Sequence, residues 1–182
     1  MTDQRVRLAI AADIPSLRSL IEISVRTLQA VDYSQKQIDA ALGTLLGIDT
    51  TLITDGTYFV VEMRVGREWV LAGCGGWSKR RTLFGSDQRD GREDDLLNPA
   101  EDAAKIRAFF VHPDWARRGI GTRLLEVCEE GARQAGFRRF EMGATLTGVP
   151  LYAARGYVEI GRIEAPLANG ETLPIVRMEK VP

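Results

Sequence analysis

The chain has 182 residues, 45% of them hydrophobic, with 24 Lys+Arg against 25 Asp+Glu. That length suits one domain with a full core, and a near-zero net charge gives no general field for nucleic acid or an anionic membrane. Cys74 and Cys128 lie far apart without a CxxC pattern and there is one His, which argues against a metal site or a disulfide framework. No apolar run is long enough to span a bilayer and no secretory segment is visible near Met1, so a cytoplasmic setting is the expectation.

In chain order, Val6 to Ile10 reads as a short strand. Asp13 can cap a helix with Pro15 in its first turn, and Leu17, Leu20, Ile21, Val25 and Leu28 hold helical spacing. Ser34-Gln35-Lys36-Gln37 has capping-box form and predicts a second helix that continues to a stop at Gly47. Tyr58–Val65 and Trp69–Trp77, joined at Gly66, read as an antiparallel hairpin. Residues 78–104 break the pattern with charge and turn residues, predicting either a solvated loop or a lid over a site.

Ile106–Val111 is a short apolar run stopped at Pro113, as expected of a strand buried on both faces. After it, Ile120, Leu124, Val127, Cys128, Gly131 and Ala135 make one apolar helical face, and Gly136 stands where a left-handed residue ends a helix. Arg138–Ala144 is a further strand and Thr147–Arg155 a short helix ending at Gly156. Tyr157–Ile163 and Leu173–Glu179 form a last hairpin across Asn169-Gly170, with Pro174 suggesting an edge strand.

Between the central strand and its helix lies Arg117-Arg118-Gly119-Ile120-Gly121-Thr122-Arg123. A helix start leaves N–H groups unpaired and partly positive. Glycines let a ligand approach that backbone, and the arginines add full charges. These features point to a phosphate-bearing ligand, with a ligand-free glycine turn as the alternative. A P-loop would need Lys after Gly121, where Thr122 stands, and the dinucleotide fingerprint would need Gly at Leu124.

Lys105–Phe137 resembles the acetyl-coenzyme A-binding motif of the GNAT superfamily of N-acetyltransferases, Gln/Arg-x-x-Gly-x-Gly/Ala after a central strand ending in a Val-x-Pro-like sequence. Phe110-Val111-His112-Pro113 and Arg118-Gly119-Ile120-Gly121 match, while Ala116 stands where the motif has Gln or Arg. Tyr152-Ala153-Ala154-Arg155-Gly156-Tyr157 resembles the family's later Tyr-x-x-x-Gly-Phe motif, with Tyr157 replacing Phe.

The resemblance implies a mixed α/β GNAT fold over residues 1–182: a mostly antiparallel central sheet flanked by helices, with splayed central strands forming the acetyl-CoA cleft. It implies acetyl-CoA as cosubstrate and no metal. The pyrophosphate would lie at Arg117, Arg118, Gly119, Ile120, Gly121, Thr122 and Arg123, and the pantetheine arm along Phe109, Phe110 and Val111. It also implies that Tyr152 protonates the leaving thiolate, and that a small-molecule or peptide amine attacks directly in a ternary complex. A homodimer is compatible with it. Arg26, Tyr33 and Trp77 are expected near the acceptor, together with the final hairpin loop.

An amine must lose a proton to attack, and Ile106–Val111 carries no carboxylate to take it. Glu62, Glu101, Asp102, Glu141 and His112 are the candidates for that task. Cys74 is the candidate for an acyl-enzyme, with no His nearby in sequence to activate it. The reading from a different class is a GNAT-fold protein that binds acyl-CoA as a sensor or regulator without turnover.

Overall fold

The computed structural model describes residues 3–182. Its elements in order are β1 (Gln4–Leu8), α1 (Ile14–Leu28), α2 (Gln35–Ala41), α3 (Thr50–Thr54), β2 (Tyr58–Val65), β3 (Glu68–Ser78), β4 (Ala104–Val111), α4 (Ile120–Gln134), β5 (Phe140–Thr145), α5 (Val149–Ala153), β6 (Val158–Pro166) and β7 (Thr172–Lys180). The seven strands make one sheet in the order β1-β2-β3-β4-β5-β7-β6. All neighbours are antiparallel except β4 and β5, which run parallel.

Alternation along the strands sends successive side chains to opposite faces. One face takes Val60, Cys74, Phe110 and Ile175 into a core with Leu17, Leu20, Ile21 and Val25 of α1 and Ile38 of α2. The other takes Ile106, Phe140, Met142 and Val176 into a core with Leu125, Cys128 and Ala132 of α4 and Tyr152 of α5. The buried stripe of α4 lies slightly round from the expected one, because Glu129 is buried while Ala135 is exposed. Burial of that carboxylate is offset by Tyr157, whose hydroxyl donates at 3.0 Å, and by Lys180 and Arg133 at 2.9 and 2.7 Å.

Three elements differ from the sequence reading. The second helix ends at Ala41, since Leu42 has ψ of 130°, and α3 is an additional helix capped by the Asp49 carboxylate, which accepts from the Thr51 N–H. A five-residue segment rich in threonine has too little periodicity to announce a helix. β7 is interior and β6 is the edge. Pro174 fits there because β5 stops pairing at Thr145↔Ile175, so the missing N–H falls just past the end of that ladder.

The charged connection 78–104 is ordered. It returns on itself through Arg81 N–H to Asp95 carbonyl and Thr82 N–H to Glu93 carbonyl, at 3.0 and 2.9 Å. Its middle is fastened to the α2–α3 region by Ser86 and Asp87 N–H donating to the Thr44 and Ile48 carbonyls, at 2.7 and 3.1 Å.

Candidate active site

β4 and β5 pair at only two positions, Ala104↔Phe140 and Lys105↔Glu141. Beyond these, β4 stays with β3 as far as Val111 and β5 stays with β7 as far as Thr145, so the sheet forks. A bulge helps to turn β4 away. Cys74 pairs with Phe110 and Gly76 with Arg107, leaving Gly75 opposite both Ala108 and Phe109. Ala108 carries the extra residue's strain with φ of +56°, and its carbonyl accepts from the Tyr58 hydroxyl at 3.0 Å. The β5-facing edge of β4 past Lys105 therefore has backbone groups without a strand partner.

The glycines of β3 make this geometry possible. A Cβ at Gly73 would lie 2.6 Å from Ile120 Cγ2, and one at Gly75 would lie 2.7 Å from the Phe109 ring. The first lets the start of α4 sit down on the sheet, and the second lets Phe109 lie across β3. Cys74 between them is fully buried, and burial pushes its thiol up to about 12, so it is a poor nucleophile.

At the far end of the fork stands the glycine turn. Gly119 is the N-cap of α4 in left-handed conformation, φ +80°, with nothing within 4 Å of an added Cβ. Arg117 is also left-handed, φ +64°. A cavity of about 540 Å³ lies between this turn and α5, bordered by Val111, Arg117, Gly119, Gly121, Thr122 and Leu151. Gly121 has a second role, since an added Cβ would stand 2.8 Å from Leu151 Cδ2.

Ile120 also borders this cavity while, at 1% exposed, it anchors the helix from beneath. Two arginines expected at the turn are placed differently. Arg118 stacks on the Trp115 ring at 4.9 Å, and Arg123 pairs with Glu126 at 3.5 Å. Neither borders the cavity, which leaves Arg117 as its cationic lining residue.

Inside the fork a second cavity of about 60 Å³ is bordered by Ala108, Phe109, Phe110 and Tyr152. The Tyr152 ring stands edge-on to Phe109 and Tyr157, at 6.2 and 6.1 Å, and Gly148 makes room for it, since a Cβ there would lie 2.8 Å from Tyr152 Cε2. Burial raises the phenol above its usual value. Phe110 points to the α1 face, opposite Phe109. From the long connection, Leu83, Phe84 and Gly85 close one side of this cavity. The segment is a seated plug, with Phe84 packed over Gly143, where a Cβ would lie 3.0 Å from the ring.

None of the five candidate bases borders either cavity. Glu62 is held by Arg5 and Arg7, at 2.6 and 2.9 Å. Glu141 is held by Lys105 at 2.6 Å and by Arg177. Asp102 accepts from the Asn98 N–H, and His112 Nδ1 from the Asp114 N–H. Glu101 is exposed in the connection before β4.

Of the residues expected near the acceptor, Arg26 borders a cavity of about 440 Å³ beside α1. Trp77 instead packs edge-on against Phe137 in the α4 core. The Tyr33 hydroxyl ties two segments together, donating to the Pro174 carbonyl and accepting from the Leu146 N–H, at 2.7 and 2.9 Å. The final hairpin loop is fastened to α2, where Asn169 donates to the Lys36 carbonyl at 3.1 Å.

The sequence reading missed Asp49 and Arg107. Asp49 is fully buried and paired with Arg107 at 2.8 Å and Arg92 at 3.2 Å. An arginine inside the otherwise apolar run Ile106–Val111 was the one available signal.

Residues 97–181 match the sequence model of the Acetyltransferase (GNAT) domain family. Among solved structures, a GCN5-related N-acetyltransferase from Rhodopseudomonas palustris is 22% identical, with a TM-score of 0.70 over 100% of this chain and 98% of that one. The PaiA N-acetyltransferase of Thermoplasma acidophilum, solved in complex with coenzyme A, is 12% identical with a TM-score of 0.64 over 99% of both chains. The ribosomal-protein-S18-alanine N-acetyltransferase of Escherichia coli is 16% identical with a TM-score of 0.57, over 98% of this chain and 94% of that one. The forked sheet, the glycine turn and the tyrosine between them thus belong to a chain that has the GNAT fold and whose residues 97–181 match the GNAT acetyltransferase domain family.

Proposed function

We propose that the protein is an acetyl-CoA-dependent N-acetyltransferase. The observation that carries this reading is the fork between β4 and β5, with one cavity at the glycine turn of α4 and a smaller one at Tyr152. The site fits the cosubstrate. Gly119 has open space where a side chain would stand, the first N–H groups of α4 lack intrahelical partners, and Arg117 adds charge beside them. The unpaired edge of β4 at Phe109–Val111 offers backbone groups to the amides of a pantetheine arm.

Acetyl-CoA supplies an activated thioester whose leaving group is a thiolate. In this reading Tyr152 serves as general acid to that sulfur. The thiolate of a thiol with pKa near ~8.5 is a weaker base than a phenolate, so transfer in the transition state needs the phenol close and protonated. Its burial keeps it protonated. With no carboxylate among the described residues that border either cavity, the amine loses its proton to water leading to bulk. Relatives that bear coenzyme A support the same reading.

The test is thiol release from acetyl-CoA across a panel of amines, with the acetylated product identified by mass. Turnover with at least one amine is expected. Tight binding of coenzyme A without acetylation of any amine would instead favour the sensor reading.

A further inference from the structure

The small cavity in the fork contains a charge that acetyl transfer by itself leaves without a task. Among the described residues, Arg107 is the one bordering it that bears a formal charge. Its side chain is 2% exposed and lies 2.8 Å from Asp49, and Nη2 donates to the Gly85 carbonyl. Its Nε is buried with no acceptor among the described residues. Asp49 is shared with Arg92, which also reaches the exposed Asp94 at 3.5 Å.

A buried N–H without an acceptor is unfavourable, and positive charge in a poorly solvated space attracts an anion. The same field opposes a bare ammonium ion. An amine that also carries a carboxylate escapes this conflict, because its anionic end can answer Arg107 while its amino group approaches the acetyl position. Position along the chain agrees with this. Arg107 precedes the bulge at Ala108, Phe109 follows it, and Phe109 packs on Tyr152.

We propose that the acceptor is a small amine bearing a carboxylate, an amino acid or a close analogue, and that Arg107 holds that carboxylate through its unpartnered Nε. This rests on the acetyl-CoA reading. Arg107 is then a specificity-determining residue that binds the acceptor and takes no part in proton transfer.

Matched pairs test it. Amino acids and the amines that result from removing their carboxylate are compared as acceptors. The corresponding N-acetylated products are titrated into the coenzyme A-bound protein by calorimetry. A charge-assisted hydrogen bond predicts an advantage of about 10- to 100-fold for the carboxylated member in kcat/KM and in product affinity. In Arg107→Gln that advantage should collapse, while the KM for acetyl-CoA stays as in the wild type.

Equal behaviour of the two members in the wild-type protein overturns the proposal, and needs no variant to fold. Persistence of the preference in Arg107→Gln also overturns it, as does an equal loss of kcat for both members, which would assign Arg107 to the thioester. Failure to bind coenzyme A would sink the reading beneath. The product pairs are then titrated into the protein alone, where an equal response refutes the carboxylate assignment separately.

Discussion

Tyr152→Phe removes one hydroxyl and keeps the ring that packs between Phe109 and Tyr157. The melting point should therefore hardly move. If the phenol protonates the leaving thiolate, the loss is felt only in the transition state, so kcat falls by ~10²-fold and the acetyl-CoA KM stays constant. Burial raises the phenol, so the acid form persists through the alkaline range in which a free phenol ionises. Steady-state kinetics between pH 6 and about 9.5 should show no alkaline limb attributable to Tyr152. Turnover within a few-fold of wild type would make Tyr152 a packing residue.

The two turn glycines should separate in the same assays. Gly119→Ala meets open space but must hold a left-handed conformation, at ~1–2 kcal/mol. Gly121→Val collides with Leu151, a wall of the cavity at the glycine turn, so it should raise the acetyl-CoA KM and lower the melting point together. Were Gly121→Val to leave both unchanged, α5 would not be seated as described.

At the scale of elements, the fork begins where a charge cluster ends. Glu141 on β5 is gripped by Lys105 on β4 and Arg177 on β7, at the last paired position of the parallel strands. Burial acts to raise this carboxyl, but the two cations outweigh it and hold the group below the usual glutamate range. A lowered folded pKa contributes stability above the unfolded value of ~4.3 that is lost as pH falls through the folded value. Glu141→Gln should consequently melt well below wild type at pH 7, and the two curves should converge as the pH falls below the unfolded value of ~4.3 and through the lowered folded one. A gap that does not narrow on acidification would show that the loss is one of packing.

The plug offers a second contrast. Arg92→Ala removes contacts to Asp49 and to the Ser86 carbonyl while leaving Asp49 paired with Arg107. Hydrogen exchange should rise in residues 82–94 and stay unchanged in β2 and β3. Uniform acceleration over the whole sheet would contradict a locally seated plug.

For the whole molecule, a ligand that binds only the folded state stabilises by mass action. Coenzyme A at a hundredfold excess over its dissociation constant adds ~2.7 kcal/mol. At ~2–4 °C per kcal/mol for a chain of this size, the melting point should rise about 5–11 °C. A calorimetric scan without any shift at millimolar coenzyme A would remove the acyl-CoA reading.

What sequence alone determined is what local chemistry specifies. Gly119 was legible as the residue that opens the helix start to a ligand, Gly136 as the left-handed end of α4, and the alternation and periodicity of β2–β4 and α4 announced the central unit. Tyr152 was legible from its spacing to Gly156 and the motif that spacing resembles. The rest depends on residues remote in sequence. The glycines at 73 and 75 of β3 have a purpose only once Ile120 and Phe109 arrive above them. Glu62 and Glu141 looked available as bases until the fold supplied their arginines and lysine. Trp77 and Tyr33 looked like pocket residues until Phe137, Pro174 and Leu146 claimed them. A buried arginine in β4 acquires meaning only when Asp49, 58 positions earlier in the chain, and the plug from residues 83–92 close round it and leave one N–H unanswered.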